Sequence, residues 1–112
     1  MLENKPTITF KDFMKIDIRV GKIISAESIK DSNKLLKLII DFGEFKRQLV
    51  AGIGDVYSPE QLIGLTIPVL INLEPKELFG IESQGMILAV GDKKVLSLLT
   101  TDQETNLGES VH

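Results

Sequence analysis

The strongest constraint on this sequence is that its apolar residues fall into strand-length segments separated by short polar or glycine-containing turns. Ile16, Ile18 and Val20 alternate with polar residues and a glycine, and this period of two is typical of a strand with one buried face. The further segments are LLKLIIDFG (35–43), FKRQLVAGI (45–53), TIPVLINL (66–73), QGMILAVG (84–91) and KKVLSLLT (93–100). The sequence therefore predicts an all-β protein.

Short helices and turns are predicted between the strands. FKDFMKID (10–17) has the pattern of a single helical turn with its apolar side chains on one side. Ser58 followed by Pro59 predicts the cap and the first position of a short helix over 58–64. The remaining connections are a polar turn (30–34), a hairpin connection (42–45) and a loop (74–83).

The order of elements narrows the fold class. Three strands, a short helix and two strands, with short N- and C-terminal additions, form the order of an OB-fold. This is a five-stranded Greek-key barrel with the helix between strands 3 and 4, although other antiparallel sandwiches have similar patterns. Gly21 predicts a bulge or a barrel bend in the first strand, and Pro68 predicts an edge or a bulge in the fourth. The length predicts one domain, 1–112, and a barrel this small gains from dimerisation.

The sequence has few of the residues that catalysis or metal binding requires. It has no cysteine, and its one histidine is the terminal His112, so Ser–His and Cys–His nucleophile arrangements are absent. It also lacks the P-loop, HExxH, GxGxxG and EF-hand patterns. We therefore expect no catalytic residues, no metal site and no cofactor. The absence of cysteine, of a signal-peptide pattern and of a membrane-length apolar segment predicts a cytoplasmic protein without a membrane partner.

The charge is unevenly distributed along the chain. Residues 1–50 hold ten Lys/Arg and seven Asp/Glu, whereas residues 51–112 hold three and nine, and the net charge is −3. A basic face for nucleic acid is compatible with this pattern, as is an ordinary solvated surface. Aromatic residues are only 5% of the chain, which disfavours a broad stacking platform for single strands.

One loop stands out by its residue types. GIESQGM (80–86) combines a serine, a glutamine, a glycine and a methionine at the entry to a strand, where an OB-fold has a loop beside its ligand groove. In a purely structural interpretation, Gly85 forms a bend and Met86 fills the core.

Several segments in this order resemble one family over nearly the whole chain. They are DFMKIDIRVGKI, NKLLKLIIDFG, KRQLVAGI, LIGLTIPVLINLEPKELFGIESQGMILA and LGESV. Together they resemble the tRNA-binding domain of methionyl-tRNA synthetase, which occurs as a C-terminal appendage, a β subunit or a free-standing tRNA-binding protein. The resemblance implies an OB-fold homodimer that binds tRNA by shape, with the synthetase catalytic subunit as a further partner and no DNA. It places the dimer interface in the N-terminal turn and in the strands after Gly91.

The resemblance also implies which residues contact RNA. Ser83 and Met86 match the serine and methionine of the family's SQGM loop, which also contains Gln84 and Gly85, while Lys34 and Asn72 match its lysine and asparagine. A lysine neutralises phosphate, serine and glutamine bind 2′-hydroxyls or base edges, and methionine adapts to an unstacked base. For Arg19 we expect a structural pairing with Asp17 rather than an RNA contact.

The sequence departs from the family pattern in two places. Ser32–Asn33 replaces the usual Ala-Asp before Lys34, and Ala51 replaces the serine of a Ser-Gly-Ile motif.

Two alternative functions remain. CsaA-like export chaperones, which bind unfolded polypeptides, share the barrel but not the SQGM loop, and this loop favours RNA. A purely structural dimerisation module is the other alternative.

Overall fold

The computed structural model describes residues 3–112. The helices are α1 (Phe10–Phe13) and α2 (Pro59–Leu62). The strands are β1 (Ile18–Ser28), β2 (Leu36–Asp41), β3 (Lys46–Ala51), β4 (Thr66–Leu70), β5 (Lys76–Leu78), β6 (Ile81–Ser83), β7 (Met86–Ile87), β8 (Ala89–Val90), β9 (Ser97–Leu98) and β10 (Ser110–Val111). In this part of the chain no helix is long and apolar enough to cross a membrane.

The main sheet is antiparallel and curls into a nearly closed barrel. Its order is β3-β2-β1-β4-β7, with β10 added to β1, and β6 and β7 approach the free edge of β3. The short helix α2 lies between β3 and β4, as predicted, and buries Leu62. The all-β, OB-like fold class is thus confirmed, whereas the Greek-key detail stays a prediction.

A side-chain hydrogen bond stabilises the start of each helix. The Thr9 hydroxyl accepts a hydrogen bond of 3.0 Å from the Asp12 N–H at the start of α1. At the start of α2 the side-chain oxygen of Gln61 accepts a bond of 2.8 Å from the Ser58 N–H. These bonds satisfy N–H groups that have no partner within a helix. Because each helix has only four residues, the barrel rather than helix propensity must hold them.

Gly21 has a different role from the predicted bulge. The register between β1 and β2 shifts between Ile23 and Ser25, so the bulge lies further along the strand. At Gly21 an added Cβ would lie 2.5 Å from the Ile40 side chain and 2.8 Å from the Phe42 ring. Glycine is therefore required because the fully buried Phe42 ring packs directly on the backbone.

Pro68 lies on an interior strand rather than on an edge strand. It pairs with Val20 in the ladder between β1 and β4, but Val20 directs its own N–H and C=O to Glu109 and Gly108. A proline tolerates this position because its missing N–H points away from β1. On that side the ladder to β7 covers only Val69 and Leu70.

The region after β4 differs most from its prediction. Residues 74–83, predicted as a loop, form the β5–β6 hairpin, whose tip residues Phe79 and Gly80 have φ angles of 51° and 76°. Positive φ at both positions is typical of a type I′ turn, which matches the twist of two antiparallel strands. The predicted fifth strand over 84–91 is divided into β7 and β8, and the predicted sixth strand over 93–100 is reduced to β9.

Candidate nucleic-acid interface

An apolar groove of about 310 Å³ opens beside the end of β3. One wall is formed by residues 50–53, and the other by the β5–β6 hairpin and the start of β7. Met86 lies in this groove with 52% of its surface exposed. A large, flexible apolar side chain that remains accessible beside small residues such as Gly52 suits contact with a flat or irregular ligand group.

The barrel is closed at this groove by side chains as well as by backbone. We call the contacts between residues 47–50 and residues 82–85 the β3 seam. Gln84 donates its N–H to the Gln48 carbonyl at 2.8 Å, and its side-chain oxygen accepts from the Gln48 N–H at 3.0 Å. The Gln48 side chain in turn donates to the Glu82 carbonyl at 2.9 Å. The predicted RNA-contacting loop is therefore also part of the barrel wall.

Ser83 is bound within the β3 seam. Ser83 is only 6% exposed, and its hydroxyl accepts a 3.0 Å hydrogen bond from the Val50 N–H. The same hydroxyl donates to the Gly85 carbonyl at 3.3 Å. Both hydrogen-bonding functions of Ser83 are thus used inside the protein.

Gly85 allows the loop to approach β4. An added Cβ would lie 2.8 Å from the Leu70 carbonyl oxygen, and this contact is closer than real Cβ atoms show. Met86, the next residue, pairs with Leu70 in the short ladder between β4 and β7. The glycine therefore sets the backbone position from which Met86 enters the groove.

Lys34 is held at a fixed backbone position beside the groove. The Ser32 hydroxyl accepts from the N–H groups of Lys34 and Leu35 at 3.3 and 3.0 Å, and the Gly54 N–H donates to the Lys34 carbonyl at 2.7 Å. The stem of Lys34 passes over Gly52, where an added Cβ would lie 3.3 Å from its Cε. Ser32 thus supplies hydrogen bonds that fix the backbone at Lys34.

Asn72 connects the N-terminal segment to the barrel. Its side-chain oxygen accepts from the Asp17 N–H at 2.9 Å, and its side-chain nitrogen donates to the Lys15 carbonyl at 2.7 Å. Asn72 therefore fixes the segment that follows α1, and its side-chain hydrogen bonds go to that segment rather than to the groove loop. The next residue, Leu73, lines the groove.

Two arginines have structural partners. Arg19 donates to the Asp17 carboxylate at 3.0 and 3.3 Å, which is the pairing expected from the sequence. Arg47 was not predicted as important, although it is a cation within an apolar strand segment. It donates to the carbonyls of Ile71 and Gln84 at 2.9 and 3.1 Å, and it lies 5.2 Å from the centre of the Phe45 ring. Arg47 thus links β3 to the chain after β4 and to the loop before β7, at one end of the β3 seam.

The second departure from the family pattern, Ala51, also lies at the groove. Ala51 is buried at the end of β3 and lines the groove, so it offers a ligand only its methyl group and its backbone. Among residues 3–112 no group of three His, Cys, Asp or Glu side chains is arranged to hold a metal ion.

A curled antiparallel sheet with an apolar groove beside its hairpin loop is the arrangement of an OB-type binding module. A family model described as “Putative tRNA binding domain” matches residues 18–110, and the chain belongs to this family. It is 52% identical over 104 residues to the methionine–tRNA ligase of Thermotoga maritima, covering 93% of this chain and 16% of the ligase. It is 46% identical over 110 residues to that of Archaeoglobus fulgidus, covering 98% of this chain and 17% of the ligase. The chain thus corresponds to a small part of each enzyme.

Solved structures of small proteins match over almost their whole length. A methionyl-tRNA-synthetase-related protein from Pyrococcus horikoshii is 38% identical, with a TM-score of 0.87 and coverage of 96% of this chain and 100% of that one. The chaperone CsaA from Bacillus anthracis is 33% identical, with a TM-score of 0.88 and the same coverages. The fold alone therefore does not separate the tRNA-binding proteins from the chaperone branch.

Proposed function

We propose that this protein is a non-catalytic tRNA-binding module that recognises structured tRNA by shape. It acts in the cytoplasm, either as a free-standing protein or as a β subunit or appendage of a methionyl-tRNA synthetase. The observation that carries the proposal is the groove beside the β3 seam, in which Met86 of the SQGM loop remains exposed. Membership of the tRNA-binding family supports it.

The proposal assigns different roles to the residues of the loop. Met86 contacts an unstacked base or a sugar, since its thioether side chain adapts to irregular surfaces. Gln84 uses its oxygen within the β3 seam, and its side-chain NH₂ group, which has no partner among residues 3–112, donates to a 2′-hydroxyl or a base edge. Ser83, Gly85 and Asn72 hold the backbone that places Met86 and Gln84, and Lys34 binds phosphate.

A homodimer is the second part of the proposal. The side chains of Phe10, Met14 and Ile16 are all exposed, and α1 buries none of its residues. Asn72 nevertheless holds the end of this segment in place. The exposed Leu96 and Leu99 of the region after β7 add further apolar surface, and contiguous exposed apolar surface marks an interface. Two barrels would bind one tRNA with added avidity.

The test is a gel shift with total tRNA, duplex DNA and an unfolded polypeptide at low salt. Met86→Ala is the informative variant because its side chain is exposed and makes no contribution to the β3 seam. Ile63→Ala, a truncation at another exposed apolar residue outside the groove, is the matched control. We expect the wild type and Ile63→Ala to prefer tRNA over DNA, and Met86→Ala to bind tRNA about tenfold more weakly, because burying a methionine side chain contributes about 1.5–3 kcal/mol and alanine keeps only part of that.

The alternative is a CsaA-like export chaperone, which the structural similarity to CsaA favours. Capture of the unfolded polypeptide without tRNA binding would support that alternative and exclude the tRNA module. Light scattering on the same samples measures the oligomeric state, and a monomer at all concentrations would exclude the dimer.

A further inference from the structure

A second cavity of about 240 Å³ adjoins the groove, and its rim is basic. Lys34, Lys93 and Lys94 line it together with Asp92, so three cations from two distant parts of the chain share one cavity with one acid. The C-terminal half as a whole is strongly acidic, with nine Asp/Glu and only three Lys/Arg in residues 51–112. Two of those three cations lie at this cavity, which makes it a local positive site on an acidic protein.

The lysines are not engaged elsewhere. None of the ion pairs within residues 3–112 includes them, since these pairs involve Lys15, Arg19 and Lys37. An ammonium group without a carboxylate partner has no ion pair to break when it binds an anion, and it acts as a mobile point charge towards phosphate.

The loop that carries Lys93 and Lys94 has a constrained shape. Leu96 donates to the Val90 carbonyl at 2.7 Å across the turn between β8 and β9. Gly91, with φ of 139°, lies so close to the Lys94 carbonyl that an added Cβ would be 2.1 Å from the oxygen. Lys34 is fixed on the other side by Ser32 and Gly54. These contacts fix the backbone from which the three lysine side chains extend.

The cavity adjoins the proposed RNA groove. Ile87, Ala89 and Val95 line both, so the lysines and Met86 are neighbours of the same apolar residues. A nucleic-acid strand requires this combination, because its bases and sugars need apolar contact while its phosphates need cations.

We propose that Lys34, Lys93 and Lys94 form a phosphate-binding site for the backbone of the RNA strand whose base or sugar lies on Met86. This inference rests on the proposed tRNA-binding function and adds Lys93 and Lys94 to the interface. It predicts that these lysines set the salt dependence of binding rather than its base preference.

The experiment measures the affinity for total tRNA as a function of salt concentration for the wild type and for the triple variant Lys34→Gln/Lys93→Gln/Lys94→Gln. Each lost phosphate contact reduces the slope of log K against log salt by about 0.7–0.9. Over a fourfold rise in salt, the wild type should therefore lose about 20- to 40-fold more affinity than the triple variant. Lys46→Gln, an exposed lysine at the opposite end of β3 from the groove, is the control and should retain the wild-type slope.

The outcomes separate this inference from the function on which it rests. Wild-type binding of tRNA with an unchanged slope in the triple variant overturns the phosphate site and leaves the tRNA module intact. An equal slope change in Lys46→Gln shows a diffuse charge effect and also overturns it. Displacement of tRNA by poly-L-glutamate at equal charge concentration shows a general anion site and contradicts phosphate recognition. If the wild type fails to bind tRNA, both proposals fall.

Discussion

Replacement of Ser83 by alanine tests whether this residue holds the β3 seam or contacts RNA. The hydroxyl is the acceptor for the Val50 N–H at 3.0 Å, and both residues are buried. Alanine would leave that N–H without a partner, and a buried unsatisfied donor costs about 1–3 kcal/mol. With an unfolding entropy of about 2.1 cal/mol/K per residue, each kcal/mol lowers the melting temperature of a chain this size by about 4 °C.

Thermal and urea unfolding followed by circular dichroism measure this effect. We expect Ser83→Ala to melt about 4–12 °C below the wild type and to keep most of its tRNA affinity at temperatures where it is fully folded. Ser97→Ala is a matched control, because the Ser97 hydroxyl only donates to the neighbouring Leu98 carbonyl and leaves no N–H without an acceptor. A variant with an unchanged melting temperature and tenfold weaker tRNA binding would refute the structural role and return Ser83 to the RNA-contacting residues.

Three further predictions concern the backbone and the N-terminal segment. Gly21→Ala should lower the unfolding free energy by about 1–3 kcal/mol, because its Cβ would collide with buried side chains. Gly52→Ala is the comparison, since its Cβ would meet the flexible Lys34 stem at 3.3 Å and Leu35 only at an ordinary contact distance of 3.8 Å; equal urea midpoints would contradict the argument. Phe79→Asn should raise the unfolding free energy by about 0.5–1 kcal/mol, because the left-handed conformation at φ of 51° costs a bulky residue about 1–2 kcal/mol and asparagine tolerates it better. A lower urea midpoint would show that the exposed ring contributes packing. Asn72→Ala should weaken the proposed dimer about tenfold, since two hydrogen bonds that hold the N-terminal segment are lost. Asn33→Ala is the control, and an unchanged dimer dissociation constant by analytical ultracentrifugation would show that α1 is not part of the interface.

The sequence predicted the elements whose signal is local. The alternation around Val20 and the Ser58–Pro59 helix start correspond to β1 and α2, because period and capping act within a few residues. The β5–β6 hairpin was missed because its strands have three residues each and its turn contains Phe79 instead of the asparagine that typically marks such a turn. The predicted strand over 84–91 was divided because the chain leaves β4 and pairs next with β9.

The site was predictable in location but not in the use of its side chains. The residue types around Met86 indicated a loop beside a groove, and the structure has a groove there. Whether Ser83 faces a ligand or the protein depends on Val50, 33 residues away in the chain, and no local pattern encodes that contact. The same limit applies to Asn72, whose partners Lys15 and Asp17 come from the N-terminal segment.

The β3 seam has a consequence for the motions of the barrel. One backbone hydrogen bond and a few side-chain bonds close it, whereas the β1·β2 and β2·β3 ladders each contain six residue pairs, so we expect the barrel to open at the seam before it unfolds elsewhere. An RNA strand in the groove would touch both sides, residues 50–53 and residues 83–86. Binding would therefore slow amide hydrogen exchange at Val50 and raise the free energy of local opening with the logarithm of the free ligand concentration once that concentration exceeds Kd. If the groove is the RNA site, recognition and closure of the barrel are coupled equilibria that share the same residues.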